Sequence, residues 1–70
     1  MRVKDIIDKL SKNQWIQIGY NTHEIKYKGK AMDCPDIMLS YEVFMILPFV
    51  ETIIDKNGNI KRRHIIRIML

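Results

Sequence analysis

Asn57-Gly58 sits between two apolar runs, Phe44 to Ile54 and Ile60 to Leu70, and this interruption constrains the chain more than any other feature. Asn-Gly supplies the two positive-φ positions of a tight type I′ turn, whose twist matches that of paired strands, so a long C-terminal β-hairpin is expected. Closing the chain on a two-residue turn sets Ile54 opposite Lys61, Glu51 opposite His64, Phe49 opposite Ile66 and Leu47 opposite Ile68. In that register one face collects Leu47, Phe49, Ile66 and Ile68, and the other mixes Val50 and Ile65 with Lys61, Arg63 and Arg67. Pro48 has no amide hydrogen to give a ladder, so its strand is expected at a sheet edge or bulged there.

Upstream, Val3, Ile6, Ile7 and Leu10 recur at i, i+3, i+4 and i+7, with Lys4, Asp5, Asp8, Lys9 and Lys12 on the other side. That is the stripe of a short amphipathic helix. Three turns do not stand alone in water, so the helix must dock on a sheet. Ile16, Ile18 and Tyr20 alternate with Trp15, Gln17 and Gly19, and Ile25, Tyr27, Gly29 and Ala31 alternate with Glu24, Lys26, Lys28 and Lys30. Both segments read as half-buried strands. A turn at Asn21-Thr22 would pair Ile18 with Ile25 and Ile16 with Tyr27, and outside them Gln17 with Lys26 and Trp15 with Lys28. Asp33-Cys34-Pro35-Asp36 reads as a cap with proline opening one helical turn through Ser40, after which Tyr41 begins the third strand. The expected fold is α+β, one domain over residues 1–70. An N-terminal helix packs on a four-stranded antiparallel sheet in the order helix, strand, strand, short helical turn, strand, strand.

Seventy residues bury only about 60% of the unfolded surface. A core of that size seldom supplies more than roughly 3–5 kcal/mol, so oligomerisation or dense packing is the expected supplement. Lone Cys34 has no disulfide partner and no leader-like segment precedes the helix, which points to a reducing cytoplasm. The longest apolar run, Val43 to Val50, is far short of the roughly 18 residues that span a bilayer, so no membrane role is expected.

Phe44, Ile46, Pro48, Val50 and Ile54 share the second face of a strand whose first face is already apolar, more apolar surface than one small sheet can hide. Either the sheet curls into a partly closed barrel, or a second copy or another protein covers the excess. The anchors nominated for such an interface are Phe44, Ile46, Val50 and Trp15, with Arg63 and Arg67 at its rim. A basic set, Lys26, Lys28, Lys30, Lys61, Arg62, Arg63 and Arg67, stands near Trp15, and the formal charge is +4. Such a surface could track phosphates with an aromatic to stack on. Alternating lysines are also the ordinary way to keep a sheet edge from aggregating, and Trp15 could equally pack under their stems.

Chemistry of other kinds finds little support. Cys34, His23, His64, Asp33 and Asp36 lack the close Cys/His spacing of a zinc site, so no metal is expected. His64 is expected to face Glu51, with no nucleophile beside it. Ser11 and Ser40 lack supporting context, and Gly19, Gly29 and Gly58 form no phosphate loop, so neither catalysis nor a cofactor is expected.

The residues VKDIIDKL (3–10), a strand pair ending YKGKA (27–31), the proline turn and the terminal hairpin together resemble small helix-first α+β proteins of phages and prophages of low-GC Gram-positive bacteria. The excess of isoleucine (13) and lysine (8) over leucine (4) and arginine (4) suits AT-rich codons of that origin. The resemblance implies an accessory factor acting in the cytoplasm of a host bacterial cell, such as an anti-CRISPR-like inhibitor of a defence system. The leading expectation is therefore a non-catalytic binding protein that occludes or modulates a host macromolecule. The alternatives are a basic nucleic-acid-binding module and a homodimeric scaffold.

Overall fold

The computed structural model describes residues 1–21 and 23–70. In chain order it runs α1 (Val3–Ile7), β1 (Trp15–Gly19), β2 (Ile25–Lys30), two 3-10 turns (Ala31–Asp33 and Asp36–Met38), β3 (Met45–Ile54) and β4 (Ile60–Met69). The α+β order agrees with the sequence, but the sheet is mixed. Strand order is β2-β1-β4-β3, with antiparallel pairs at both ends and β1 parallel to β4 in the middle. A central strand needs ladder partners on both sides and apolar side chains on its covered face. Uncharged β1 and the Ile65–Met69 half of β4 meet that need, whereas β3 carries Pro48 and β2 carries three lysines, so these become edges. Strands β2 and β3 thus run the same way at opposite edges. Residues 31–44 bring the chain back across the sheet, and β4 is thereby aligned with β1. The edges do not pair with each other, so the sheet is open rather than a barrel.

Helix α1 covers one face, called here the helix face. Val3 and Ile6 are buried against Ile16, Ile18, Ala31 and Ile68, and Ile7, Leu10, Tyr27 and Ile66 pack around them. The stripe is as expected, but regular helix ends at Ile7. The chain then reaches Leu10 through tighter bonds, Lys9 N to Ile6 O at 3.1 Å and Leu10 N to Ile7 O at 3.1 Å. At the other end, amides without intrahelical partners find carbonyls of the crossover, Val3 N donating to Tyr41 O (2.9 Å) and Lys4 N to Leu39 O (3.0 Å). In backbone pairing Glu42 makes an isolated bridge to Arg2, and its carboxylate meets Arg2 Nε at 3.7 Å. The crossover is thus tied to the helix first, and β3 begins at Met45, not Tyr41.

Two registers differ from those expected. The hairpin β3–β4 pairs Ile54 with Ile60, Glu51 with Arg63, Val50 with His64, Phe49 with Ile65 and Pro48 with Ile66, one residue away from the two-residue-turn register. The cause is Asp55, whose Oδ1 accepts the amides of Asn57 (2.8 Å) and Asn59 (2.9 Å). Its own amide donates to Asn59 O at 3.0 Å, and Gly58 N donates to Asp55 O at 3.1 Å. The loop is therefore three residues closed by an Asp55–Asn59 pair, with only Gly58 at positive φ (80°), the turn-plus-αL alternative to type I′. A one-residue slip exchanges faces. Phe49 and Leu47 lie with Ile65 and Arg67, while Val50 and Ile46 lie with Ile66 and Ile68.

In β1–β2, Ile18 pairs with Tyr27 and Trp15 with Lys30, two residues from the expected register, and a bulge sets Gly19 against Ile25. An even shift keeps the faces, so the alternation holds, although Tyr20 and Ile25 end exposed rather than buried. Of the expected Asn21-Thr22 turn, Thr22 lies outside the described residues. Asn21 Oδ1 accepts the amides of His23 (2.7 Å) and Glu24 (2.8 Å). A Cβ on Gly19 would stand 2.3 Å from Glu24 O, so this crossing requires glycine.

Candidate binding surfaces

Strand β1 spans only the Ile65–Met69 half of β4, so the distal half of the hairpin projects as a two-stranded ribbon. The long axis reaches 40 Å and the radius of gyration is 12.6 Å, against about 11 Å for a compact 70-residue chain. Accessible surface is 5154 Å², where a monomer of this mass exposes about 4,600 Å². The surplus lies along β3. Phe44 (77% exposed) precedes the strand, and Met45, Ile46, Leu47, Val50, Ile54 and Ile60 are all exposed large apolar side chains. Ile46, Pro48, Val50, Ile54 and Ile60 fall on the helix face by register, beyond the reach of α1. Asp55 and Asn59 form a hydrogen-bonded pair, so even-numbered β3 amides point outward and the missing hydrogen of Pro48 falls at the open edge.

The opposite, free face has no helix, yet Ile65 at its centre is 1% exposed. Its direct cross-strand neighbours are Trp15 and Phe49. The Arg63 guanidinium lies 3.7 Å from the Trp15 ring centroid and that of Arg67 3.8 Å from the Phe49 centroid. Lys28 Nζ meets Glu51 Oε2 at 2.6 Å. These two residues stand on opposite edges of the sheet, three inter-strand spacings or roughly 14 Å apart across the strands alone, so the sheet must curl toward this face. The result is a trough with a small second core under a charged rim. Gln14 pins its end, its Nε2 donating to Trp15 O and His64 O, both at 3.0 Å.

The interface residues expected together are therefore divided. Phe44, Ile46 and Val50 stand exposed along β3, whereas Trp15, Arg63 and Arg67 are half-buried in the trough on the other side. The slip of register hid this division, and with it the exposure of Ile60 across from Ile54 and of Met45 and Leu47, which alternate onto the free-face side of the same edge strand. Glu51 faces Arg63 and pairs with Lys28, so the expected His64–Glu51 pairing is corrected: His64 opposes Val50 on the helix face. Of the basic set, Lys28, Lys30, Lys61, Arg63 and Arg67 share the free face, Arg62 falls on the other by alternation, and Lys26 sits in the β1–β2 bulge with its ammonium 5.2 Å from the Tyr20 ring centroid.

Cys34 lies half-buried beside a groove lined by Ile7, Leu10, Ala31, Met32 and Leu39. Burial, and then the charge of Asp36, push its thiol pKa up, which keeps it protonated and weakly nucleophilic. Burial likewise raises the Tyr27 hydroxyl, aided by Asp33 and Cys34, and it donates to Lys30 O at 2.7 Å. Among the described residues no three His, Cys, Asp or Glu side chains gather as a metal site, and no helix is long and apolar enough to cross a membrane. No family model, curated protein or solved structure matches this chain.

Proposed function

We propose that this is a non-catalytic binding protein of phage type, which masks a surface of a host protein through the exposed apolar flank of β3. The single observation behind this reading is the row Phe44, Met45, Ile46, Leu47, Val50 and Ile54, with Ile60 across the hairpin, left open along one strand. Together these side chains expose several hundred Å², the order of the ~800 Å² that each partner contributes to a standard interface. Isolated exposed apolar residues are ordinary, but a contiguous row on an edge is a docking feature or an aggregation hazard. Pro48 blunts backbone pairing at that edge, so recognition proceeds through side chains.

The partner is a different protein presenting an apolar groove rimmed by carboxylates. Arg62 and His64 flank the row on β4, and the chain carries +4, so a second copy would bring like charges together. For a protein of phage type that partner belongs to a bacterial host, and a defence component is the target proposed.

The experiment is affinity capture from a low-GC Gram-positive lysate with the wild-type chain and with Phe44→Asp and Val50→Asp. Both positions are exposed, so the variants should keep the fold, which circular dichroism verifies. A protein retained by the wild type and lost with both variants is the expected outcome. Recovery of the same material by all three overturns the reading. So does light scattering that gives twice 8.4 kDa, because a second copy then covers the row.

A further inference from the structure

The trough carries a second message, independent of the β3 row. By strand alternation its face holds five cations among the described residues, Lys28, Lys30, Lys61, Arg63 and Arg67, with the carboxylate of Glu51. Only Lys28 is ion-paired with that carboxylate. Solubility explains lysines at an outer edge, but not two arginines drawn onto aromatic rings on either side of one buried isoleucine. Cation–π contact holds each guanidinium over its ring at the surface of the trough. The cost is mutual repulsion among Arg63, Arg67 and Lys28, which a bound polyanion relieves.

A buried polar atom without a partner lies at the same place. Arg67 Nε is buried and has no hydrogen-bond partner among the described residues. Gln17, only 7% exposed, lies beside Arg67 across the β1–β4 pair, and with Asn21 these residues line a small cleft at the end of the trough.

We infer that the free face binds the sugar-phosphate backbone of single-stranded nucleic acid, with Arg63 and Arg67 holding phosphates and offering planar outer faces to bases. A sheet of four strands curled until its edges meet through Lys28 and Glu51 is too narrow to receive a duplex. It matches a strand whose phosphates recur along a row of cations.

The test is fluorescence anisotropy with fluorescein-labelled dT15 at rising salt. Neutralising four to five phosphates predicts a log–log slope of about −3, hence about sixty-fold weaker binding between 50 and 200 mM salt. Arg63 and Arg67 cover the second core and their replacement could disturb it, so the diagnostic variants are Lys30→Gln and Lys61→Gln, the first half-buried beside Trp15 and the second exposed. Each should flatten the slope by about 0.7, while Lys9→Gln on the far side should change nothing. The sole tryptophan, Trp15, reports binding through its emission. Absence of binding at 50 mM salt overturns the inference, as do slopes unmoved by either variant. Equal binding of a duplex of the same length, or equal competition by polyglutamate, also overturns it, the latter pointing to an acidic protein segment instead.

Discussion

Gly58 occupies the left-handed region at φ +80°, and nothing lies within 4 Å of where its Cβ would be. A side chain there meets no obstacle, so its penalty is conformational alone. Gly58→Val is expected to lower stability by about 1–2 kcal/mol, seen as a fall of roughly 4–8 °C in Tm per kcal/mol for a domain this small. An unchanged Tm would mean that the loop adopts another form. Asp55 closes the same loop through its carboxylate. The amide of Asn59 holds its pKa below the ordinary value, assisted by the amide of Asn57 and opposed by partial desolvation. A depressed carboxylate stabilises the fold above its unfolded pKa of about 3.9 and loses that contribution as pH falls through the lower folded value. The Tm difference between wild type and Asp55→Ala should thus be largest near neutral pH and close as pH falls through that lowered folded value. A difference that is constant with pH would remove the carboxylate from the account.

At the scale of elements, a helix stripe, two hairpins and an edge position for Pro48 were legible, because period and proline chemistry are local. The alternation in β1 and β2 survived a register shift of two since even shifts preserve faces. What was not legible depended on choices between near-equal local options. Asn57-Gly58 suits a two-residue turn, but Asp55 and Asn59 flank it with capping groups, and the longer loop they close moves every β4 side chain to the other face. DKNGN held that signal, in the aspartate two residues before the Asn-Gly pair. Parallel pairing of β1 with β4 was beyond reach, because it is set by the crossover at 31–44 and its anchorage on α1. The same register makes Ile65 a core residue on a face with no helix. Ile65→Ala should cost about 2–5 kcal/mol, comparable to Ile16→Ala under the helix. Chemical denaturation checks it, and a cost below about 1 kcal/mol would mean that the arginine-covered aromatics do not form a core.

Over the whole molecule, one sheet presents two unlike surfaces. The helix spans less than the long hairpin, so the helix face runs out into an uncovered apolar edge, while the free face is closed over Ile65 by Trp15, Phe49 and their arginines. Composition announced both the excess of apolar strand surface and the basic set. It could not say that they lie on opposite sides, since one residue of slip decides that. The claim on which both surfaces rest is tested most directly by solvent paramagnetic relaxation of the isoleucine and valine methyl groups in the free chain. Strong relaxation is predicted for Ile46, Val50, Ile54 and Ile60, with Ile16, Ile18, Ile65 and Ile68 protected. Protection of Ile46 and Val50, or free access to Ile65, would contradict it.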